Sequence, residues 1–84
     1  MQLLRRAWAA LNTGAAVEAL ALVRDDIRLH PDGVLTEERA ALNVLALAKL
    51  GRHDEARAAS TAFTSRYPTS VHRARIERAL EEKP

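Results

Sequence analysis

Apolar positions recur along this chain at helical spacing, and the breaks between runs fall at glycine and proline. Residues 2–12, QLLRRAWAALN, place Leu4, Trp8 and Leu11 on one face at i, i+4 and i+7, with Leu3, Ala7 and Ala10 widening it. Thr13-Gly14 closes that run. A second helix is expected from Ala15 to Leu29, with a stripe of Ala16, Leu20, Val23 and Ile27 and with Ala19 inside it. Glu18, Arg24, Asp25 and Arg28 lie mostly outside the stripe. His30-Pro31-Asp32-Gly33 ends this helix, because a residue before proline avoids helical angles and glycine accepts left-handed ones. A third helix starts at Leu35 or Thr36 and runs to Leu50. Thr36 serves as its N-cap, and Glu37 and Glu38 occupy the first turn, where the helix dipole favours acids. Gly51 stops it. A fourth helix covers His53 to Arg66, with Ala56, Ala59, Ser60, Phe63 and Tyr67 on one side, and Tyr67-Pro68 ends it. Thr69 or Ser70 caps a fifth, from Val71 to Glu82. Ile76, Ala79 and Leu80 share one of its faces, and Arg73, Arg75 and Arg78 take much of the rest.

The third helix differs from the others. In Ala40 to Leu50, AALNVLALAKL, only Asn43 and Lys49 are polar. A helix packed on one side needs only an apolar stripe. This one is apolar nearly all round, so it is expected to be sandwiched between helices on at least two sides. It is too short to cross a bilayer, which takes about 20 such residues.

The chain also matches itself when shifted by 37 residues. Gly14 meets Gly51, Glu18-Ala19 meets Glu55-Ala56, Ala21 meets Ala58, Pro31 meets Pro68 and Val34 meets Val71. The matches fall at the turn glycine, at the start of the second helix and at the closing proline, positions that backbone geometry constrains. A period in this range is the mark of a solenoid. The unit of helix, glycine turn, helix and proline resembles the tetratricopeptide repeat family, carried by Gly14, Glu18, Ala19 and Pro31, then by Gly51, Asp54, Glu55, Ala56 and Pro68. The longer unit, with YPTS after its second helix, is similar to the bacterial envelope-type repeats of the BamD and Tol–Pal coordinator kind. The resemblance implies an all-α, right-handed α-solenoid of antiparallel helix pairs. It would comprise one domain over residues 1–84, with repeats at 1–33 and 34–70 and a capping helix at 71–82. Departures from the family pattern are Leu3 and Ala40 where a Trp is common, and Asp26 where a small residue is usual, so the first unit is expected to pack loosely or bend. Leu4, Trp8 and Leu42 stand where chaperone-binding members carry a polar carboxylate clamp, so recognition of a peptide terminus in that manner is not expected.

Composition narrows the chemistry. The chain has no cysteine, which excludes disulfides, thiolate catalysis and Cys-ligated zinc but fixes neither cytoplasm nor periplasm. Ala and Leu dominate, as suits helices. Arg outnumbers Lys by 11 to 2, a bias resembling that of GC-rich bacterial genomes. His30, His53 and His72 lack the i, i+4 spacing of paired metal ligands. The acid pairs Asp25-Asp26, Glu37-Glu38, Asp54-Glu55 and Glu81-Glu82 consist of adjacent residues, which diverge by about 100° on a helix. Ser60, Ser65 and Ser70 sit in no nucleophile elbow. No catalytic site, cofactor or metal is expected.

The expected function is therefore binding. The leading reading is a protein–protein interaction module whose concave face, lined by the first helix of each unit, holds a partner's peptide or helix. The candidate residues on that face are Leu4, Trp8, Leu11, Asn12, Asn43, Lys49 and Arg75. Trp8 fits either the core or the groove, and Asn43 either a bonded core position or a groove contact. A second reading is a self-associating element or a piece of a longer array, with the uncovered side near Leu3 and Ala7 meeting a second copy or upstream repeats. A third rests on the basic C-terminal region, with Arg66, Arg73, Arg75 and Arg78 as a docking patch for an acidic protein, anionic lipid or nucleic acid. Nucleic acid is the weakest of these, because few aromatics lie among the arginines to stack on bases. The plain alternative is a solvated outer face.

Overall fold

A computed structural model describes residues 2–31 and 36–81. Among them the chain forms five α-helices and no strand: α1 (Gln2–Asn12), α2 (Ala16–Leu29), α3 (Thr36–Lys49), α4 (His53–Arg66) and α5 (Arg73–Glu81). None is long and apolar enough to cross a membrane. Asp32, Gly33, Val34 and Leu35, on which the end of the second helix, the Val34–Val71 match and the start of the third partly rest, lie outside the described residues. Met1 and the end of the fifth helix at Glu82 lie outside them too.

The two glycine turns are built alike. After α1, Gly14 N–H donates to the Leu11 carbonyl and Ala15 N–H to that of Ala10. After α3, Gly51 N–H donates to Ala48 and Arg52 N–H to Leu47. These paired bonds make a Schellman ending, which puts the glycine in left-handed geometry. Gly14 has φ +87 and Gly51 φ +77, with open space around each. The turns also feed the following helices identically. Ala15 (φ −90, ψ 66) and Arg52 (φ −87, ψ 67) precede α2 and α4. Those helices close at His30 and Tyr67, whose N–H groups donate to Asp26 and Phe63. All of these positions are 37 residues apart.

The helix that the sequence marks as apolar all round is the hub. α3 packs against α1, α2, α4 and α5. Ala41, Leu42, Val44, Leu45, Ala46 and Leu47 are all buried along it. α1 also pairs with α2 and α5 touches α4, while no backbone contact joins α2 to α4. Leu4, Ala7, Ala10 and Leu11 bury one face of α1. Ala56 and Phe63 are buried on α4, and Ile76 on α5. Ser70 opens α5, its hydroxyl accepting from His72 N–H at 3.1 Å, so the helix proper begins two residues later than expected.

Three expectations change. Ile27 does not complete the α2 stripe: it is 46% exposed, and Leu22 is buried instead. Among the described residues, α4 stands apart from α2 and leaves Ile27 partly open. Ala7 is not on an uncovered side; it is fully buried, and Leu3 is half-buried. Asp26, expected to loosen the first unit, is buried but paired. Its carboxylate accepts from Arg39 of α3 at 3.1 Å, and the same guanidinium donates to the His30 carbonyl at 2.9 Å. The acid thus ties the end of α2 to α3.

Two stability outcomes follow from this packing. Gly51→Ala, forced into left-handed geometry, should lower unfolding free energy by about 1–2 kcal/mol in urea titration. Arg39→Met should cost about 3–5 kcal/mol by leaving Asp26 buried without its partner, and adding Asp26→Ala should restore most of that loss.

Candidate functional site

Two depressions mark the surface, one on either side of α3. The first, about 490 Å³, opens where α1 and α3 end, α4 begins and α5 crosses. Leu11, Leu45, Ala48 and Ala79 give it apolar walls. Asn12, Lys49, His53, Arg75 and Arg78 supply the polar ones, and among the described residues no acidic side chain lines it. The second, about 570 Å³, lies over α2, α3 and α4 and includes Ile27, Ala40, Asn43, Phe63, Arg66 and Tyr67.

The seven candidate groove residues are therefore distributed unevenly. Leu11, Asn12, Lys49 and Arg75 meet in the first depression. Asn43 lines the second, on the other side of α3. Leu4 is buried in the core, 4% exposed, and is not available to a partner in this conformation. Trp8 takes neither extreme. It is half-buried, packs against the core and is covered by α5. His72 stacks on its ring with centroids 5.6 Å apart, and the Arg75 guanidinium lies 5.0 Å from its centre. Its indole N–H donates to Glu38 Oε2 at 2.8 Å. Glu38 Oε1 in turn lies 3.3 Å from His72 Nε2.

This cluster positions the first depression. Arg75 is held twice, over the Trp8 ring and by donating to Asn12 Oδ1 at 3.1 Å. An aromatic face attracts a cation, and the amide oxygen fixes the fork. Among the described residues, no carboxylate lies within ion-pair distance of Lys49, Arg75 or Arg78. The four arginines of the expected basic patch do not converge. Arg75 and Arg78 face the first depression, while Arg66 stacks at 5.5 Å on Tyr67 beside the second. Arg73 pairs with Glu77 and donates to the Pro68 carbonyl.

His53, read in the sequence only as a polar residue after a turn, lines the first depression. Its Nε2 is buried with no hydrogen-bond partner, the one such side-chain nitrogen or oxygen among the described residues. Leaving a buried polar atom unpaired costs about 1–3 kcal/mol. Its sequence position, two residues after a turn glycine, carried no sign of this.

The adjacent acids Asp25 and Asp26 diverge as their spacing requires. Asp25 pairs outward with Arg28 and Asp26 inward with Arg39. Glu55 takes both donors of Arg52, and Glu38 takes Trp8. Among the described residues no three His, Asp or Glu side chains gather as a metal-binding group. Set against protein-family models, curated proteins and solved structures, the chain matches none.

Glu38→Ala should unpair the Trp8 N–H and release His72, lowering stability by about 1–3 kcal/mol. Emission of this single tryptophan should shift to the red in the folded variant as α5 loosens over it.

Proposed function

We propose that this chain is a non-catalytic protein–protein interaction module, a right-handed α-solenoid of two tetratricopeptide-like helix pairs closed by α5. It binds a peptide or helix of a partner along the side where α1, α3 and α5 meet. The observation that carries this reading is the open first depression, with apolar walls, a polar rim and four of the expected groove residues. Two features support the repeat architecture. The turn bonds recur 37 residues apart, and α3 lies between α1 and α5, contacting both, while α2 and α4 do not touch each other. An apolar pocket with a few placed polar groups is the usual form of a recognition site.

Self-association is the second reading, favoured by apolar side chains exposed on α2. Val17 is 70% and Leu29 57% exposed, and Ile27 stands at the edge of the second depression. Exposed apolar patches mark interaction surfaces when they are contiguous.

One experiment separates the two. A panel of amphipathic helical peptides is titrated into isotopically labelled protein, with light scattering run in parallel. The expected result is a monomer whose saturable shift changes centre on Leu11, Asn12, Lys49 and Arg75. Changes centred on Ile27 and Phe63, with a dimer that persists in high salt, would replace this reading with self-association.

A further inference from the structure

We propose that the first depression recognises an acidic side chain within a partner segment, its carboxylate held among Lys49, Arg75 and Arg78. This rests on the docking reading above and names its occupant.

Two observations point to an anion. Among the described residues, the depression gathers three cationic side chains and no acid. Like charges gathered in a cleft focus a positive potential, which draws an anion in. Arg75 is already oriented by Trp8 and Asn12, so little of its rotamer freedom remains to be lost on binding.

The surroundings favour a carboxylate on a protein segment over a phosphate group. α1 and α3 both end at this depression, at Asn12 and Lys49, and bring the partly negative carbonyl ends of two helices. Only α4 begins there. Two negative helix ends against one positive end offset part of the cationic field, which suits one negative charge better than two. The walls of Leu11, Leu45, Ala48 and Ala79 give the apolar part of a peptide a surface to cover, whereas a small hydrated anion leaves them bare.

The test uses two amphipathic peptides, acetylated and amidated so that neither carries a terminal charge. They share the same leucines and differ only in Glu against Gln at the polar positions. Binding is followed by Trp8 fluorescence, since Arg75 links that ring to the depression. The Glu peptide is expected to bind at least about tenfold more tightly and to weaken as salt rises. Lys49→Ala and Arg78→Ala, at exposed positions, should each reduce its affinity several-fold and leave the Gln peptide unaffected.

Equal binding of the two peptides overturns the carboxylate proposal and leaves the docking reading intact. Failure of both to bind overturns both. Inorganic phosphate bound as tightly as the Glu peptide overturns the proposal in favour of a small-anion site. Binding to phosphatidylserine vesicles without binding to the peptide overturns it in favour of a membrane surface.

Discussion

The structure depends on burying one helix on every side. α3 carries apolar residues around most of its circumference, and each requires a neighbour to exclude water. Full burial of one Leu or Val side chain is worth about 1.5–3 kcal/mol, and α3 supplies several. α1, α2, α4 and α5 each contact it, and much of their arrangement follows from that demand. α5 illustrates the point. It has a single buried residue, Ile76, yet it takes a fixed place because α3 and α4 give that residue a seat.

Apolar burial has little direction, and polar groups in the first turns of α3 add the direction. Thr36 accepts from the Tyr67 hydroxyl at 3.1 Å, Glu38 holds Trp8 and faces His72, and Arg39 reaches Asp26 and His30. Within four residues, α3 thus makes a specific contact to the segments on each side of it. At its other end the polar groups lack such pairing. Lys49, Arg78 and His53 face an open depression. One end of the central helix is consumed by architecture, and the opposite end borders the open depression.

The helices were legible because their signals are local. Gly14, Gly51, Pro31 and Pro68 are set by backbone geometry, and the apolar periods lie within single helices. The all-round burial of α3 was legible for the same reason. Errors came where a residue's fate depends on a distant helix. Ile27 has the right spacing for the α2 stripe, yet no backbone contact joins α4 to α2 near it. Asp26 looked like a flaw until Arg39, 13 residues away, was placed beside it. Four of the seven candidate groove residues, Leu11, Asn12, Lys49 and Arg75, do share one depression, while Asn43 lies on the other side of α3 and Leu4 in the core. Glu38 and His72 meet Trp8 across 30 or more residues, and the unpaired nitrogen of His53 is a property of its surroundings. Neither leaves a trace in local pattern.

The matched turns at Gly14 and Gly51 have a further consequence for how such a chain can change in length. Each turn delivers the next helix with the same dihedral angles and the same backbone bonds. A whole period duplicated between them would meet, at both joints, the geometry it left. A change of one or two residues inside a helix would instead rotate every following side chain by about 100° per residue and take Arg75 off the Trp8 ring. Growth by complete units is structurally quiet, and growth by single residues is not.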